Sequence, residues 1–367
     1  MKVECLKEGL VESIGIAGRA VGKNVSLAVL ECLYIEAKNN SLTLRATNLD
    51  LGIEVRVPAK VIKNGVVAVP GIVLFNVVNT MYGSNNLTLE VLHDNLSIST
   101  PQSTTLIKAQ DHSDFPTLPL LKGGESFTIA TAELKKGLES VWMSASTTTI
   151  KPELASVYIY TEDKKIIFVA TDSFRLSEKI ILTKNNLSFD PILIPIRNVP
   201  EIIKVLDGVE ENEVKVIISE NQMSFTSGAV YLTSRLISGT YPDYRQIIPK
   251  EFTSEVVVLR QDLSTIFKKI QIFSDKFNQV GLHISKKERQ FVLTAHSSDV
   301  GETTEVIQAA ITGDNLDINF NHRYITDALQ VIGTDSVSLS FGGLSRPMVI
   351  RGISDPSFLY LVMPMNR

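Results

Sequence analysis

Few residues of this chain could carry chemistry, and they are scattered. No His-x-x-x-His or His-Glu spacing that could seat a metal ion occurs among the five histidines, which are His93, His112, His283, His296 and His322. Glycine-rich phosphate loops, dinucleotide fingerprints and Gly-x-Ser-x-Gly elbows are also missing from the sequence. Cys5 and Cys32 form no metal-ligand spacing, which fits a reducing compartment. The sequence therefore predicts no metal, no cofactor and no enzymatic activity.

One stretch does place opposite charges close together. An apolar run ends in Thr171-Asp172, and Arg175 follows three residues after the aspartate. The pattern predicts a buried strand, a polar turn that Asp172 caps, and a returning strand. A catalytic pair of Asp172 and Arg175 is a weaker alternative, because ion pairs that fix turns are far more common.

The same stretch recurs twice elsewhere in the chain. Asn48, Asp172 and Asp299 align at spacings of 124 and 127 residues. A strand that leads into a helix recurs as well, at Val67–Pro70, Ile192–Pro195 and Ile318–Phe320. Such periodic markers indicate three copies of one structural plan.

Apolar residues at i, i+3, i+4 and i+7 predict two helices in each copy. The six predicted helical segments are residues 4–23, 72–82, 132–144, 196–208, 261–273 and 322–332. Alternating segments between them predict antiparallel strands, so each copy is expected to contain a helix, three or four strands, a second helix, and three or four strands. The expected fold class is α+β, with three tandem domains at residues 1–122, 123–248 and 249–367. Domains of this kind in a row place helices on one side and sheets on the other, and head-to-tail pairing closes a ring or leaves an open curved rod.

Charge and hydropathy narrow the expected partners. The formal net charge of −4 argues against a broad basic surface for nucleic acid, but it allows contact with DNA on one restricted face. No apolar run is long enough to span a membrane, and the N-terminus does not fit a secretory signal, so we expect a cytoplasmic protein. The cationic candidates for a DNA-facing surface on the predicted helices are Lys7, Arg19, Lys23, Lys135, Lys136, Arg197, Lys204, Lys268, Lys269 and Arg323. From charge alone, these residues equally fit the solvated faces of amphipathic helices.

Four motifs together carry a family resemblance. They are Ala170-Thr171-Asp172-Ser173-Phe174-Arg175-Leu176, Tyr241-Pro242-Asp243-Tyr244-Arg245, Asp114-Phe115-Pro116, and the terminal Tyr360-Leu361-Val362-Met363-Pro364-Met365. In this order, and with the threefold repeat, the whole chain resembles the bacterial DNA polymerase III β subunits, the sliding clamps. The resemblance implies a head-to-tail homodimeric ring with helices lining the inside and antiparallel sheets outside. Such a ring encircles double-stranded DNA independently of sequence, tethers the polymerase and catalyses nothing.

The resemblance also implies a hydrophobic cleft for short linear peptides. Its partners would be the DNA polymerase III α subunit, the clamp loader and repair proteins. The matching positions are Thr171, Ser173, Phe174, Arg175, Leu176, Pro242, Gln246, Ile247, Phe277, Asn321, Tyr324, Leu344, Pro347, Leu361, Met363, Pro364 and Met365. Three features depart from the family's pattern and bear on peptide preference: Phe174 in place of a histidine, Gln246 in place of an arginine, and the ending Asn366-Arg367.

For the dimer contact, the matching apolar residues are Ile107 in the first domain, and Ile272 with Phe273 in the last. Phe273 also fits an ordinary core residue. Two other functions compete with the clamp: a structural β-rich repeat protein without a DNA function, and a hydrolase with its site at Asp172.

Overall fold

A computed structural model describes residues 1–22, 27–184 and 186–365 of the protein. The described residues form six α-helices: α1 Lys7–Ala17, α2 Gly71–Thr80, α3 Thr131–Val141, α4 Val199–Asp207, α5 Arg260–Ile270 and α6 His322–Val331. The strands of the first repeat are β1 Lys2–Leu6, β2 Cys32–Lys38, β3 Ser41–Thr47, β4 Leu51–Pro58, β5 Lys60–Lys63, β6 Gly65–Pro70, β7 Asn86–Leu92, β8 Asn95–Ser99 and β9 Thr104–Ile107.

The second and third repeats follow the same order. Strands of the second are β10 Glu125–Ala130, β11 Ser156–Glu162, β12 Lys165–Thr171, β13 Arg175–Leu182, β14 Ile192–Pro195, β15 Glu213–Ser219, β16 Gln222–Ser227 and β17 Val230–Arg235. Strands of the third are β18 Ser254–Leu259, β19 Gln279–Ser285, β20 Gln290–Ser297, β21 Gly301–Gln308, β22 Ala310–Gly313, β23 Leu316–Asn321, β24 Ser336–Phe341, β25 Met348–Gly352 and β26 Phe358–Val362. Three tandem α+β repeats are therefore confirmed.

Two details of the predicted repeat were wrong. Each repeat opens with a strand (β1, β10 or β18) before its first helix, so the segment predicted as a helix over residues 4–23 begins as β1. The first and third repeats also carry five strands between their helices, because the short strands β5 and β22 pair with the opening strands β1 and β18. Short alternating segments of this kind are the hardest to separate by periodicity alone.

Contacts divide the chain into two compact units. Unit 1 comprises Met1–Lys135 and Arg197–Ile237. It holds a five-stranded antiparallel sheet in the order β5-β1-β7-β8-β9 and an eight-stranded sheet in the order β10-β15-β16-β17-β4-β3-β2-β6. In the larger sheet β17 pairs with β4, so strands of the first two repeats share one sheet.

Unit 2 comprises Lys136–Ile196 and Ser238–Arg367. Its sheets have the orders β14-β11-β12-β13-β26-β25-β24-β18-β22 and β21-β20-β19-β23. Strand β13 of the second repeat pairs with β26 at the end of the third. Because hydrogen bonding continues across the repeat boundaries, three sequence repeats give two compact units.

The helices bury most of the apolar stripe residues that the sequence predicted, with Leu6 and Trp142 exposed. In α6 the buried residues include Ile325, Ala328 and Leu329, which join the hydrophobic core of unit 2. In α3, Gly137 allows the helix to approach β12 closely, since an added Cβ would lie 2.5 Å from the ring of Phe168. This packing fixes the strand that leads into the turn at Asp172.

The turn after the third strand of each repeat was misaligned in the last copy. Strands β3, β12 and β20 end at Thr47, Thr171 and Ser297, and the hydroxyl of each accepts a hydrogen bond from the backbone N–H two residues later. Ser297 therefore corresponds to Thr171. Asp299 stands at the position of Ser173, not at that of Asp172 as the sequence alignment had it.

Candidate functional site

The turn between β12 and β13 is held by its own side chains. Asp172 Oδ1 accepts hydrogen bonds from the backbone N–H groups of Phe174 and Arg175, at 2.9 and 3.0 Å. Thr171 Oγ1 donates to the Arg175 carbonyl at 2.6 Å. Ser173 takes a φ of 78°, in the left-handed region. The predicted turn cap at Asp172 is thus confirmed, and it leaves the Phe174 side chain exposed at the tip.

The guanidinium of Arg175 is surrounded by compensating groups. Its Nε donates to Asp172 Oδ2 at 3.0 Å, and its Nη1 donates to Asp327 Oδ2. The guanidinium carbon lies 4.4 Å from the centroid of the Tyr324 ring, within the range of a cation–π contact. Burial opposes the charge of Arg175, but Tyr360 and the two carboxylates outweigh it and raise the pKa above its ordinary value. Only 12% of this side chain is exposed, so Arg175 is held in a fixed position beside the turn.

The C-terminal strand brings the end of the chain to this turn. Strand β26 pairs with β13, which puts Leu361 opposite the buried Leu176. Beyond the strand, the Met363 N–H donates to the Phe174 carbonyl at 2.8 Å. Met363 is half-buried, which leaves part of its flexible side chain accessible beside the exposed tip.

The start of α6 forms a second side of the same region. The Met365 N–H donates to the carbonyl of Asn319 at 2.8 Å, just before the helix. Asn321 caps α6, because its Oδ1 accepts from the Arg323 N–H at 3.0 Å. Tyr324 follows on the first turn. The structure therefore brings the 171–176 turn, the 361–365 tail and the start of α6 together.

Of the remaining positions predicted for the cleft, Gln246 and Ile247 lie in a short 3-10 helix over Tyr244–Ile247, and the others lie on loops of unit 2. Pro242, Gln246 and Ile247 are exposed on the segment before β18, and the Gln246 amide donates to Asp243 Oδ2 at 2.8 Å. Phe277 and Leu344 are exposed, and Pro347 is half-buried. Tyr241, next to Pro242, stacks on Tyr158 with ring centroids 4.5 Å apart.

Asp327 is the residue near this turn that the sequence analysis missed. It lies one helical turn after Tyr324 on α6 and reaches Arg175 across 152 residues of sequence. The spacing of three places both side chains on one face of the helix, which is the signal that could have indicated it.

Most of the candidate DNA-facing cations already have partners. Lys7 donates to the carbonyls of Asn79, at 3.3 Å, and Met81, so it caps the end of α2. Five others are paired with carboxylates: Arg19 and Lys204 with Glu201, Lys135 with Asp207, Arg197 with Asp50, and Lys269 with Glu305. Lys136, Lys268 and Arg323 are exposed, and in the described ranges none of the three lies in an ion pair. Lys23 lies outside the described residues, as do Asn366 and Arg367.

The three dimer candidates differ in accessibility. Ile107 ends β9 at the edge of the five-stranded sheet, but its side chain is only 4% exposed. The neighbouring Leu106, which the sequence analysis passed over, is 59% exposed. In unit 2, Ile272 is 61% exposed, whereas Phe273 packs partly against the core. Accessible apolar side chains thus stand beside two sheet edges, β9 and β21.

Family models match nearly the whole chain. Those of the N-terminal, central and C-terminal domains of the DNA polymerase III beta subunit match residues 1–119, 128–243 and 245–366. The chain belongs to the DNA polymerase III beta subunit family.

Relatives and solved structures of this family agree along the full length. The Beta sliding clamp of Synechococcus elongatus is 27% identical over 374 residues, covering 100% of this chain and 99% of that protein. The Beta sliding clamp of Bacillus subtilis is 27% identical over 381 residues, with all of both chains covered. The crystal structure of the Thermotoga maritima DNA polymerase III beta subunit superposes with a TM-score of 0.93 at 26% identity, covering 100% of this chain and 99% of that one.

These likenesses decide between the functions left open by the sequence. The protein is a sliding clamp of DNA replication, a non-enzymatic processivity factor, and the structural-repeat and hydrolase alternatives are wrong. The geometry at Asp172 agrees, because both of its carboxylate oxygens are engaged in the turn and in the ion pair. Among the described residues, no helix is long and apolar enough to cross a membrane, and no cluster of side chains could hold a metal ion.

Proposed function

We propose that this sliding clamp works as a head-to-tail homodimeric ring that encircles duplex DNA without reading its sequence. The family membership supports the ring, and the accessible apolar residues beside the edges of β9 and β21 offer surfaces for the two subunits to join. Weak phosphate contacts from a few free cations retain a ring on DNA without stopping its movement. The repeats would be domains 1–122, 123–248 and 249–367, and the ring would work in the cytoplasm, where bacterial DNA lies.

We further propose that the surface around the 171–176 turn is the partner cleft. The polymerase III α subunit, the clamp loader and repair proteins would bind there through short peptides with apolar anchors. The observation that carries this proposal is the hydrogen bond from the Met363 N–H to the Phe174 carbonyl at 2.8 Å. It joins two segments that are 189 residues apart in sequence and leaves an exposed aromatic beside two pliable methionines.

A double substitution in the tail tests the cleft. Met363→Ala with Pro364→Ala removes apolar contact area, so binding of a fluorescent polymerase-derived peptide should fall at least about tenfold, as when a buried anchor is removed. The oligomeric mass should stay that of the wild type. The matched control is Leu182→Ala with Pro356→Ala, which truncates two residues of unit 2 elsewhere. Unchanged peptide binding in the tail variant would refute the cleft.

DNA topology tests the ring separately. A clamp placed by its loader on a nicked circular plasmid should remain bound during gel filtration, and it should dissociate once the plasmid is linearised. Equal retention on both forms would contradict encirclement, because a protein held only by contacts does not sense a free end.

A further inference from the structure

We propose that Tyr244 is a positioning residue of the partner cleft, which fixes Pro242 and Ile247 at one side of the cleft through a chain of hydrogen bonds. This inference rests on the proposed peptide cleft and deepens it. Pro242 and Ile247 belong to the segment that follows the second repeat, residues 241–247, here named the second linker. The corresponding first linker, residues 115–121, follows the first repeat and takes a different path.

Both linkers begin with the same aromatic stack. Phe115 lies against Tyr34 of β2 with ring centroids 4.9 Å apart, and Tyr241 lies against Tyr158 of β11 at 4.5 Å. Strands β2 and β11 are the corresponding strands of the two repeats. The stack therefore belongs to the architecture of the repeat, and the difference between the linkers lies in the residues that follow.

The first linker covers the strand pair that joins the first two repeats. Leu118 is 8% exposed and fills the space beside Gly52 of β4, since a Cβ at Gly52 would lie 2.6 Å from the Leu118 Cδ2. The hydroxyl of Tyr231, on β17, donates to the Pro119 carbonyl at 2.7 Å and accepts from the Leu121 N–H at 3.1 Å. Because β4 pairs with β17, this linker lies across the boundary between the repeats.

The second linker cannot follow the same path. Leu176 stands at the position of Gly52, since each is the second residue of the strand that leaves the capped turn. Leu176 is fully buried, so its own side chain occupies the space that Leu118 takes in the first boundary. The second linker must therefore be held at another part of the sheet.

A directed chain of hydrogen bonds holds the second linker on β11 and β13. Tyr244 donates to Glu178 Oε2, and because a tyrosine hydroxyl has one proton, Tyr160 donates to Tyr244 at 2.7 Å. The Arg245 Nη2 in turn donates to the Tyr160 oxygen at 2.8 Å and to Glu162 Oε2 at 2.5 Å. Burial, and then the hydrogen bond to Glu178, raise the pKa of Tyr244 above its ordinary value of 10, so the hydroxyl keeps its proton.

These bonds leave the apolar residues of the second linker accessible. Pro242 is exposed, and Ile247 is 46% exposed at the end of the short helix that Tyr244 begins. Because this side of the cleft is fixed before a peptide arrives, binding does not have to order it. Tyr244 therefore acts on the peptide through Pro242 and Ile247, although its own hydroxyl is buried away from the ligand.

Removing one hydroxyl tests the positioning role. Tyr244→Phe keeps the ring and breaks the chain, so the affinity for the fluorescent polymerase-derived peptide should fall about two- to tenfold, as expected for one hydrogen bond. Hydrogen exchange of the backbone N–H groups, measured by mass spectrometry, should become faster in residues 241–248 and slow again when the peptide is added. Glu178→Gln keeps an acceptor oxygen for Tyr244 and should bind the peptide within about twofold of wild type.

The matched control removes the hydroxyl that holds the first linker. Tyr231→Phe also breaks two hydrogen bonds, so it should lower the stability in urea to a similar extent and make exchange faster in residues 115–121. Its peptide affinity should equal that of the wild type. The two variants together separate a general loss of stability from the loss of a positioned side of the cleft.

The outcomes are distinguishable. Equal peptide affinity of Tyr244→Phe and wild type would overturn the inference and leave the cleft standing. An equal loss of affinity in Tyr231→Phe and Tyr244→Phe would overturn it as well, because both would then act through stability alone. If the wild-type clamp itself does not bind the peptide, the proposed cleft is refuted together with the inference.

Discussion

Asn48 and Asp172 cap the same turn in the first and second repeats. The Asn48 Oδ1 accepts from two backbone N–H groups at 3.0 and 2.8 Å, and the Asp172 Oδ1 does so at 2.9 and 3.0 Å. The residue after each, Leu49 or Ser173, takes a φ of 76° or 78°. An amide and a carboxylate are interchangeable here because the turn needs only an acceptor. The turn thus belongs to the architecture of the repeat, and the second carboxylate oxygen of Asp172 is left for Arg175.

The cap of the first repeat should contribute to stability alone. Asn48→Ala leaves two backbone donors without their acceptor, so the free energy of unfolding should fall by about 1–3 kcal/mol. Urea unfolding followed by circular dichroism measures the change. Asn76→Ala, which truncates an exposed amide on α2, should stay within about 0.5 kcal/mol of wild type. Equal stability of Asn48→Ala and wild type would contradict the capping role.

The unpaired cations should dominate binding to DNA. A cation already paired with a carboxylate brings a negative charge towards the phosphates and gains less on binding. Replacing Lys136, Lys268 and Arg323 by Ala should lower the slope of log affinity against log salt by about one for each phosphate that the protein no longer neutralises. The measurement is fluorescence anisotropy with a short duplex at low salt.

The matched variant for this test replaces three paired cations, Arg19, Lys204 and Lys269, by Ala. It removes the same formal charge and should lower the slope less. A larger decrease in slope for the paired set would show that ion pairing does not determine which of these cations bind DNA.

Accessible residues at the sheet edges should control dimerisation. Leu106→Ser with Ile272→Ser should shift the sedimentation mass towards the monomer at micromolar concentration, since the substitutions remove apolar area from the interface. Leu182→Ser, at an exposed residue of β13, is the control and should leave the mass unchanged. Ile107→Ala should instead destabilise the fold by about 2–5 kcal/mol, because its side chain is buried. An unchanged mass in the double variant would show that the dimer interface lies at other residues.

Acid should weaken the clamp through His322 at the start of α6. Burial lowers the pKa of His322 below its ordinary value of 6.5, and Arg323 adds to the lowering. The unfolded chain then binds the proton more tightly than the folded one, so the free energy of unfolding rises with pH from the lowered folded pKa up to about 6.5. Below the lowered folded pKa, the imidazole is protonated in both states and the stabilisation gained from the neutral His322 is lost.

Removing the buried imidazole tests this pH dependence. His322→Gln keeps a polar partner for Ser274 Oγ, which lies 2.9 Å from the His322 Nε2, and should flatten the acid limb of stability in urea unfolding. His296→Gln, at an exposed position on β20, should retain the slope. An identical slope in His322→Gln and wild type would assign the acid sensitivity to other groups.

Local patterns in the sequence were enough for the repeats and most helices. The stripe that includes Ile325, Ala328 and Leu329 predicted α6 because helix periodicity is a property of neighbouring residues. The bounds of the strands, and the strand that opens each repeat, were harder to predict from the sequence. Strand β1 was read as helix because its partners, β5 and β7, lie far along the chain, and pairing at a distance leaves little local signal.

In the candidate site too, some features follow from the local sequence and others only from the tertiary structure. The sequence by itself determined the capped turn at Asp172, because a short polar side chain bonds to its own backbone. Only the tertiary structure decided that β13 pairs with β26, that the tail beyond β26 lies against Phe174, and that Asp327 reaches Arg175. The same holds for which cations are paired and which of Leu106 and Ile107 is accessible. Those interactions join residues that are distant in sequence, and they are fixed by sheet pairing and packing of the whole unit, which no local pattern records.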